Sequence, residues 1–457
     1  MKKFILPIIL YLAFLSMSWN LDFTKMLSID RIHALNFAGA HYHCSPNEPP
    51  KPLPSLIAYF CPAGEYRYIN ALLLTLLATA FLSISFSVTG GIQAGAAAAF
   101  LLLFADQLAW HIIVGITLPY LVFMLWSIAF YLRRGMGKTS FMLFLAGLVR
   151  PEAWVLGAIF MFKYVLNYFY KEKATKEEAV KSIFFNDSRA LAAKNFTVAV
   201  LPLFASLLWV FFDSRVSSSA LHEAARYAAA HIFSTDKIAL LGYALTQIIF
   251  FISPKIPFVA LGIVAMLLAA KHYGWTKTLI LAIPAVVVTF FYAALYLTGH
   301  APLFPRYFLF PAALCYFTAC LIPGLIFHKL PIVRGLVLAL VCVFCFDSTV
   351  AMKYIAGNEK RKYVSHAVAD AAAYLKEIDP QGKIIDGFSH DVFALALGEK
   401  VSHQLVTAEE AGDPEIFKQV HYIVWVVGDN PRVNKIRGFS VCKVIDNGLA
   451  IIYKKEI

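Results

Sequence analysis

Charged side chains are scarce in this sequence, and the few that interrupt its apolar stretches are the candidates for chemistry. Asp30 stands before the helix-like run "RIHALNFAGA" and the proline-rich turn "PPKPL". Arg150 and Glu152 interrupt the apolar stretch "AGLVRPEAWVLG". Arg306 and Tyr307 stand in a third stretch, "FPRYFLFPAALCYF". A carboxylate can take a proton from an attacking group, and the planar fork of an arginine can bind two oxygens of an anion at once. These residue types therefore predict proton transfer and anion binding.

The composition predicts that a membrane surrounds these residues. The chain has 457 residues, of which 60% are hydrophobic and 15% are charged, and its mean hydropathy is +0.68. Globular proteins average about 45–50% apolar and about 25% charged residues. A soluble all-α protein would need polar helix faces, and "ALLLTLLATAFLSISFSV" has none. We therefore expect an α-helical polytopic membrane protein.

The formal net charge of +12 agrees with a membrane topology and not with nucleic-acid binding. Lys and Arg concentrate in the expected cytoplasmic loops, as the positive-inside rule predicts. Membrane lipids are therefore expected partners, and nucleic acid is not. The cations in question are Lys2, Lys3, Arg133, Arg134, Lys138, Lys171, Lys173, Lys176, Lys181, Arg189, Lys194, Lys271, Lys277, Lys329 and Arg334.

The alternation of apolar runs and loops predicts about eleven spans, with the C-terminal tail outside. The first run is interpreted as a retained span, in preference to a signal peptide, because no clean small-x-small cleavage site precedes "NLDFTK". Two further spans form a hairpin on either side of "RPE". The other spans are expected at about 4–18, 70–88, 91–105, 117–132, 196–212, 255–270, 278–298, 307–327 and 334–351.

Polar residues gather on the outer side of this layout. A long outer loop covers residues 19–69, and a second outer loop contains Asp106 and His111. We expect 213–253 to lie in the outer interface, because a span there would invert every later loop.

The composition changes after residue 352, which predicts two domains. Residues 1–352 are expected to form the transmembrane catalytic domain, which includes the loop 19–69. Residues 353–457 are expected to form a small extracytoplasmic α/β domain. Its amphipathic helix is "KYVSHAVADAAAYLKEIDP", and its short β-branched runs are "KIIDGFSH", "HYIVWVVGD", "VCKVID" and "LAIIYKKE".

The motifs resemble those of GT-C glycosyltransferases. "D-x-x-x-A-x-x-x-A" from Asp30, followed by the proline-rich turn, is similar to their first outer loop, above all in the protein O-mannosyltransferase and lipid A aminoarabinose-transferase group. Asp106, the "RPE" hairpin and the Arg-Tyr-x-x-x-Pro start of a late span are also similar. The resemblance covers the whole chain. One position departs from it, because many relatives carry Asp-Glu where this chain has Asp30 and Arg31.

The resemblance implies transfer of a sugar from a polyprenyl-phosphate donor with inversion at the anomeric carbon. Asp30 is the candidate base, and Asp22 competes for that role. Asp106 would hold the acceptor, a divalent cation or a basic partner. Positive charge must stabilise the departing phosphate. The candidates for that charge are Arg306 with Tyr307, then Arg150 and Lys51; Glu152 and His111 are supporting residues.

Structural interpretations compete with several of these roles. Asp30 could be a helix cap in a solvated loop, and Arg306 an anchor in the interfacial aromatic belt. Arg150 and Glu152 could simply pair with each other at the hairpin.

The cysteines and histidines of the outer loop carry two further expectations. "HYHC" at 41–44 lacks an obvious fourth metal ligand, so no metal site is assigned. Cys44 and Cys61 share the loop, where an oxidising exterior would permit a disulfide.

The leading hypothesis is a polyprenyl-phosphate-sugar-dependent glycosyltransferase whose acceptor is a lipid, a glycan or a protein. We expect it in the bacterial inner (plasma) membrane, with an extracytoplasmic site. One alternative is a transporter or flippase for a lipid-linked glycan, which would place its charges near the midplane of several spans. Another is a non-catalytic cell-envelope assembly protein on the same scaffold.

Overall fold

The computed structural model describes most of the chain, in two compact units. Unit 1 comprises Met1–Trp19, Tyr68–Phe211 and Leu221–Ile355, and unit 2 comprises Asn20–Arg67, Phe212–Ala220 and Ala356–Ile457. Within these bounds the described residues are 2–19, 21, 23–42, 51–62, 65–105, 117–170, 189–216, 256–297, 305–356, 359–388, 390–407, 410–426, 436–445 and 449–456.

Unit 1 is helical throughout its described residues. A 3-10 turn at Pro305–Phe308 precedes its most buried helix, α12. The helices are α1 (Lys2–Ser18), α4 (Tyr66–Thr89), α5 (Gln93–Phe104), α6 (Thr117–Leu132), α7 (Met136–Gly147), α8 (Glu152–Tyr170), α9 (Arg189–Val216), α10 (Ile256–Tyr273), α11 (Trp275–Leu297), α12 (Leu309–Ala319), α13 (Ile322–Ile326), α14 (Pro331–Cys345) and α15 (Ser348–Ala356). Tyr66 and Arg67 of α4, residues 212–216 of α9 and Ala356 of α15 are assigned to unit 2.

Three stretches of unit 1 have the length and composition of membrane spans. Tyr66–Thr89, Trp275–Ala294 and Leu309–Ile326 are each at least 18 residues long and strongly apolar, and shorter apolar helices accompany them in the described part of the chain. An α-helix needs about 20 mostly apolar residues to cross the hydrocarbon core. The chain is therefore a helical membrane protein, and the number of eleven spans stays a prediction.

The helix α12 forms the centre of unit 1. It packs against α5, α6, α10 and α11, and nearly all of its side chains are buried. A helix that is apolar on every face is stable only where other helices or lipid surround it. Pro323 lies in the first turn of α13, where its missing N–H costs nothing, and so separates α13 from α12.

Unit 2 is built on a mixed sheet of five strands in the order β2-β1-β3-β5-β4. The strands β1, β2 and β3 are parallel, while β5 runs antiparallel between β3 and β4. The strands are β1 (Lys383–Asp386), β2 (Leu405–Val406), β3 (Val420–Val426), β4 (Phe439–Ile445) and β5 (Ala450–Lys455). The helices of unit 2 are α2 (Thr24–Phe37), α3 (Pro52–Phe60), α16 (Glu359–Ile378), α17 (His390–Leu397), α18 (Glu399–Ser402) and α19 (Pro414–Lys418).

The segment that follows α1 packs into the core of unit 2. Ile32 of α2 is fully buried among residues of α16, α17 and the sheet. The backbone N–H of His41 donates a hydrogen bond to Glu399 Oε1 (2.9 Å). The side-chain amide of Asn36 donates to the Tyr42 carbonyl and accepts from the Tyr42 N–H. These two hydrogen bonds hold the chain after α2 against the last turn of that helix. The loop 20–67 therefore groups with the C-terminal residues, a grouping that the sequence did not predict.

Candidate functional site

The "RPE" motif forms the corner between α7 and α8. The helix α7 ends at Gly147, and the Arg150 N–H donates to the carbonyl of Ala146 (2.9 Å). The indole of Trp154 in α8 returns to donate to the carbonyl of Gly147 (2.9 Å). Pro151 disfavours a helical conformation of the residue before it, so the chain turns here. The corner holds Arg150 and Glu152 on one short segment.

Arg150 and Glu152 form a buried ion pair. Arg150 Nε lies 2.7 Å from Glu152 Oε1, and the two side chains are 9% and 0% exposed. Glu152 is also the first residue of α8, where the helix dipole favours a negative charge. The two opposite charges balance each other inside unit 1.

Three tyrosines surround the Arg150 guanidinium. Arg150 Nη2 donates a hydrogen bond to the Tyr292 hydroxyl (2.7 Å). The guanidinium carbon lies 5.0 Å from the ring centre of Tyr307 and 5.2 Å from that of Tyr120. Tyr292 and Tyr307 stack on each other at 4.3 Å with their planes 8° apart. Cations are attracted to the faces of such rings, most strongly where water is excluded. We call Tyr120, Arg150, Glu152, Tyr292 and Tyr307 the arginine cluster.

The arginine cluster joins three predicted site residues and adds two that the sequence did not indicate. Arg150, Glu152 and Tyr307 were expected at the site. Tyr120 in α6 and Tyr292 in α11 lie inside apolar spans, where an aromatic residue is ordinarily interpreted as packing. Their only signal in the sequence is a hydroxyl group within an apolar span.

Asp30 lies in unit 2, in the interior of α2. It is the seventh residue of a helix that begins at Thr24, and it is 1% exposed. His33, one turn further on, is also buried, and the Tyr66 hydroxyl is near enough to Asp30 to interact electrostatically. The interpretation of Asp30 as a solvated helix cap is therefore wrong, because the helix begins six residues earlier and its N-cap residue is Phe23.

The other residues of the Asp30 motif, Arg31 and Lys51, are less buried than Asp30. Arg31 is exposed, so the side chain that departs from the Asp-Glu pattern lies in solvent. Lys51 is the N-cap of α3, with Pro52 at the first position of that helix. The proline-rich turn thus leads directly into a helix that packs on α2.

Several expected residues lie outside the described part of the chain. Asp22, Asp106, His111 and Cys44 fall there, and for Arg306 only the backbone is described, in the 3-10 turn before α12. Cys61 carries a thiol, and its pairing with Cys44 stays a prediction.

The described residues contain no group of three or more His, Cys, Asp or Glu side chains that could hold a metal ion. Asp30 with His33 supplies two such groups, fewer than the ligand sets of typical protein metal sites.

One further titratable pair lies at the carboxyl end of β1 in unit 2. His390 Nδ1 lies 2.9 Å from Asp386 Oδ2. Burial lowers the pKa of His390, but the hydrogen bond and charge of Asp386, with the charges of Asp391 and Glu410, raise it above its ordinary value. The pair lies in unit 2 and was not among the expected site residues.

Comparison with known proteins gives a fold. No protein-family model matches the chain, and no curated protein does. A crystal structure of the Archaeoglobus fulgidus oligosaccharyltransferase with zinc and sulfate is similar, with a TM-score of 0.52 and 14% identity, over 92% of this chain and 68% of that one. A second structure, of the archaeal oligosaccharyltransferase AglB from Archaeoglobus fulgidus with an inhibitory peptide and a dolichol-phosphate, has a TM-score of 0.48 and 11% identity over 93% of this chain and 70% of that one. A third, tethered to an acceptor peptide, has 0.46 and 12% over 88% and 64%.

The first of these similarities extends over both units of the chain. At 14% identity it establishes the fold and not the reaction. The chain therefore shares its fold with that oligosaccharyltransferase, and the superfamily that its motifs resemble stays a prediction.

Proposed function

We propose that the protein is a GT-C glycosyltransferase that moves a sugar from a polyprenyl-phosphate-linked donor to an acceptor at the extracytoplasmic membrane face. The observation that carries the proposal is the fold similarity to an oligosaccharyltransferase over 92% of the chain. The motifs support it, because a buried acid in the outer loop and an arginine before a late span are the groups that such a transfer requires.

Asp30 acts as the base in this proposal. The acceptor is a hydroxyl, amine or amide, and its nucleophilic atom attacks the anomeric carbon. The bond between that carbon and the phosphate oxygen breaks, and the phosphate leaves with the electron pair. Asp30 accepts the proton that the acceptor loses, and the anomeric configuration inverts. A well-placed base contributes about 10²–10⁴-fold to the rate. Asp22 is the competing candidate and Asp106 the candidate acceptor holder.

The arginine cluster positions the phosphate-binding segment. The Nε of Arg150 already pairs with Glu152, and its Nη2 donates to the Tyr292 hydroxyl. Because the charge of Glu152 compensates that of Arg150, the pair attracts an anion only weakly. Its contact with Tyr307 fixes the residue that follows Arg306 in the chain. We therefore assign phosphate binding first to Arg306, assign positioning to Arg150 and Glu152, and keep Lys51 and His111 as supporting candidates.

The finer specificity follows from the sequence resemblance. It favours a protein O-mannosyltransferase-like or lipid A aminoarabinose-transferase-like enzyme with a single donor sugar, in a bacterial inner membrane. The fold neighbour is named for oligosaccharide transfer, so a larger donor glycan is the second candidate. That neighbour was crystallised with zinc, so we test whether transfer requires a divalent cation by adding a chelator.

The change of Asp30 to Asn tests the mechanism. The purified full-length protein is incubated with a polyprenyl-phosphate sugar or a lipid-linked oligosaccharide, and transfer to lipid, glycan and peptide acceptors is followed. We expect Asp30→Asn to lower the turnover number by about 10²–10⁴-fold, because the base is lost while the shape of the side chain is kept.

The control is Asp370→Asn, which changes an exposed carboxylate of the same unit. Unchanged turnover of Asp30→Asn would remove Asp30 from the mechanism. Absence of transfer by the native protein with every donor, together with movement of the lipid-linked glycan across vesicles, would instead establish the transporter alternative. Absence of both would favour an assembly protein.

A further inference from the structure

Three cations from three different helices meet at the turn between α4 and α5. Arg133, at the end of α6, donates from Nε to the hydroxyl of Ser87 (3.2 Å). Lys277, near the start of α11, donates from Nζ to the carbonyl of the same Ser87 (3.1 Å). Arg334, in the first turn of α14, donates from Nε to Gln93 Oε1. We call residues 87–93 the basic turn.

The basic turn is shaped to receive these side chains. The Thr89 hydroxyl and the Ser85 hydroxyl both donate to the Gly91 carbonyl (3.1 and 2.7 Å), and the Gly91 N–H donates to Thr89 Oγ1 (3.1 Å). A Cβ at Gly91 would lie 3.2 Å from Arg334 Nη2, so the glycine allows the close approach of the guanidinium.

No acid in the surrounding helices balances these three charges. The segments 66–105, 117–151 and 256–346 contain no Asp or Glu at all. In the described part of the chain, none of Arg133, Lys277 and Arg334 forms an ion pair. Like charges that are brought together at one turn repel one another, and an anion supplied from outside would relieve that repulsion. Each cation donates only one hydrogen bond to the basic turn, so its other N–H groups can donate to an anion.

The surroundings of the turn favour a lipid over a soluble anion. The cations stand at the ends of apolar helices, which is the level of the phosphate groups in a bilayer. Next to Lys277 and Arg334 in the chain, Trp275 is 61% exposed and Ile332 is 77% exposed. A phospholipid would place its phosphate on the cations and its acyl chain along such apolar side chains.

We infer that the basic turn with Arg133, Lys277 and Arg334 binds the headgroup of an anionic phospholipid. This site belongs to unit 1 and does not depend on the proposed transfer reaction. A bound lipid there neutralises the three cations and joins the ends of α6, α11 and α14 to the α4–α5 turn.

The test measures lipid binding to the full-length protein in detergent by native mass spectrometry. Phosphatidylglycerol is titrated against phosphatidylcholine with the same acyl chains. A basic residue near an anionic lipid surface contributes about 1 kcal/mol, which is about fivefold in affinity. We therefore expect Lys277→Gln and Arg133→Gln each to weaken phosphatidylglycerol binding about fivefold, while Lys277→Arg preserves it.

The matched control is Lys271→Gln, which removes an exposed cation from the last turn of α10. Equal losses in Lys271→Gln and Lys277→Gln would mean diffuse surface charge and would overturn the inference. Equal binding of the two lipids by the native protein would overturn it too. Inorganic phosphate is added alone as a third arm. If it binds with the same dependence on Lys277, the ligand is a free phosphate and not a lipid.

Discussion

At the scale of single residues, the arginine cluster combines a full charge with almost complete burial. The cost of removing Arg150 and Glu152 from water is offset only because each compensates the other and the tyrosines supply further polar and ring contacts. This arrangement differs from an exposed phosphate site, where the arginine must keep its donors for the ligand. The geometry therefore favours Arg150 as the residue that fixes the corner and the segment after Arg306.

The ion pair predicts a large loss of stability when one partner is removed. In Glu152→Gln the Arg150 charge stays buried without its counter-ion, which costs about 3–5 kcal/mol in comparable buried pairs. We expect thermal unfolding of the full-length protein in detergent to occur at a clearly lower temperature. Glu65→Gln, which neutralises an exposed glutamate, should leave it nearly unchanged. An unaltered unfolding temperature in Glu152→Gln would show that the pair does not hold the corner.

At the scale of helices, the sequence predicted where the helices lie along the chain better than it predicted which segments pack against one another. The expected spans at about 70–88, 117–132 and 278–298 overlap α4, α6 and α11, because long apolar runs are a strong local signal. The start of α2 was misplaced, since an aspartate before an apolar run looks like an N-cap whether or not the helix has already begun. The two-residue strand β2 was missed because it is too short to carry a period of two.

The contact between α4 and α5 gives the prediction at this scale. Gly95 of α5 packs on the backbone of α4, so that a Cβ there would lie 2.6 Å from the carbonyl carbon of Phe81 and 2.9 Å from Leu82 Cα. Small residues let membrane helices approach closely. Gly95→Ala must therefore separate the two helices, and overpacking of this kind costs about 1–3 kcal/mol.

A second glycine supplies the control for this substitution. A methyl group added to Gly137 of α7 would meet no atom within 4 Å, so Gly137→Ala should be neutral or slightly stabilising through helix propensity. The measurement is the unfolding temperature of both variants in one detergent. Equal behaviour of the two variants would contradict the close contact of α4 with α5.

At the scale of the whole molecule, the candidate site was the hardest part to predict. The sequence indicated Asp30 and the "RPE" corner one by one, because each is a charge in an apolar stretch. It could not indicate that Ile32 joins a core with Ala367, Phe393 and Ile452, because that contact links segments more than 300 residues apart and leaves no local pattern. Tyr120 and Tyr292 were missed for the same reason, since their role depends on Arg150 and not on their own neighbours.

The membrane topology is the prediction that concerns the entire chain. If the chain starts in the cytoplasm and crosses the membrane about eleven times, the turn after α6 lies in the cytoplasm and the C-terminal sheet lies outside the cell. The cations around Gly137 agree with a cytoplasmic position of that turn. Cysteines are introduced one at a time in a cysteine-free variant, at Gly137 and at Ser440, both of which are exposed. A membrane-impermeant thiol reagent added to intact cells should label Ser440→Cys, and should label Gly137→Cys only after permeabilisation. Labelling of both positions in intact cells would mean an even number of spans between them, and the proposed extracytoplasmic site would then have to be reassigned.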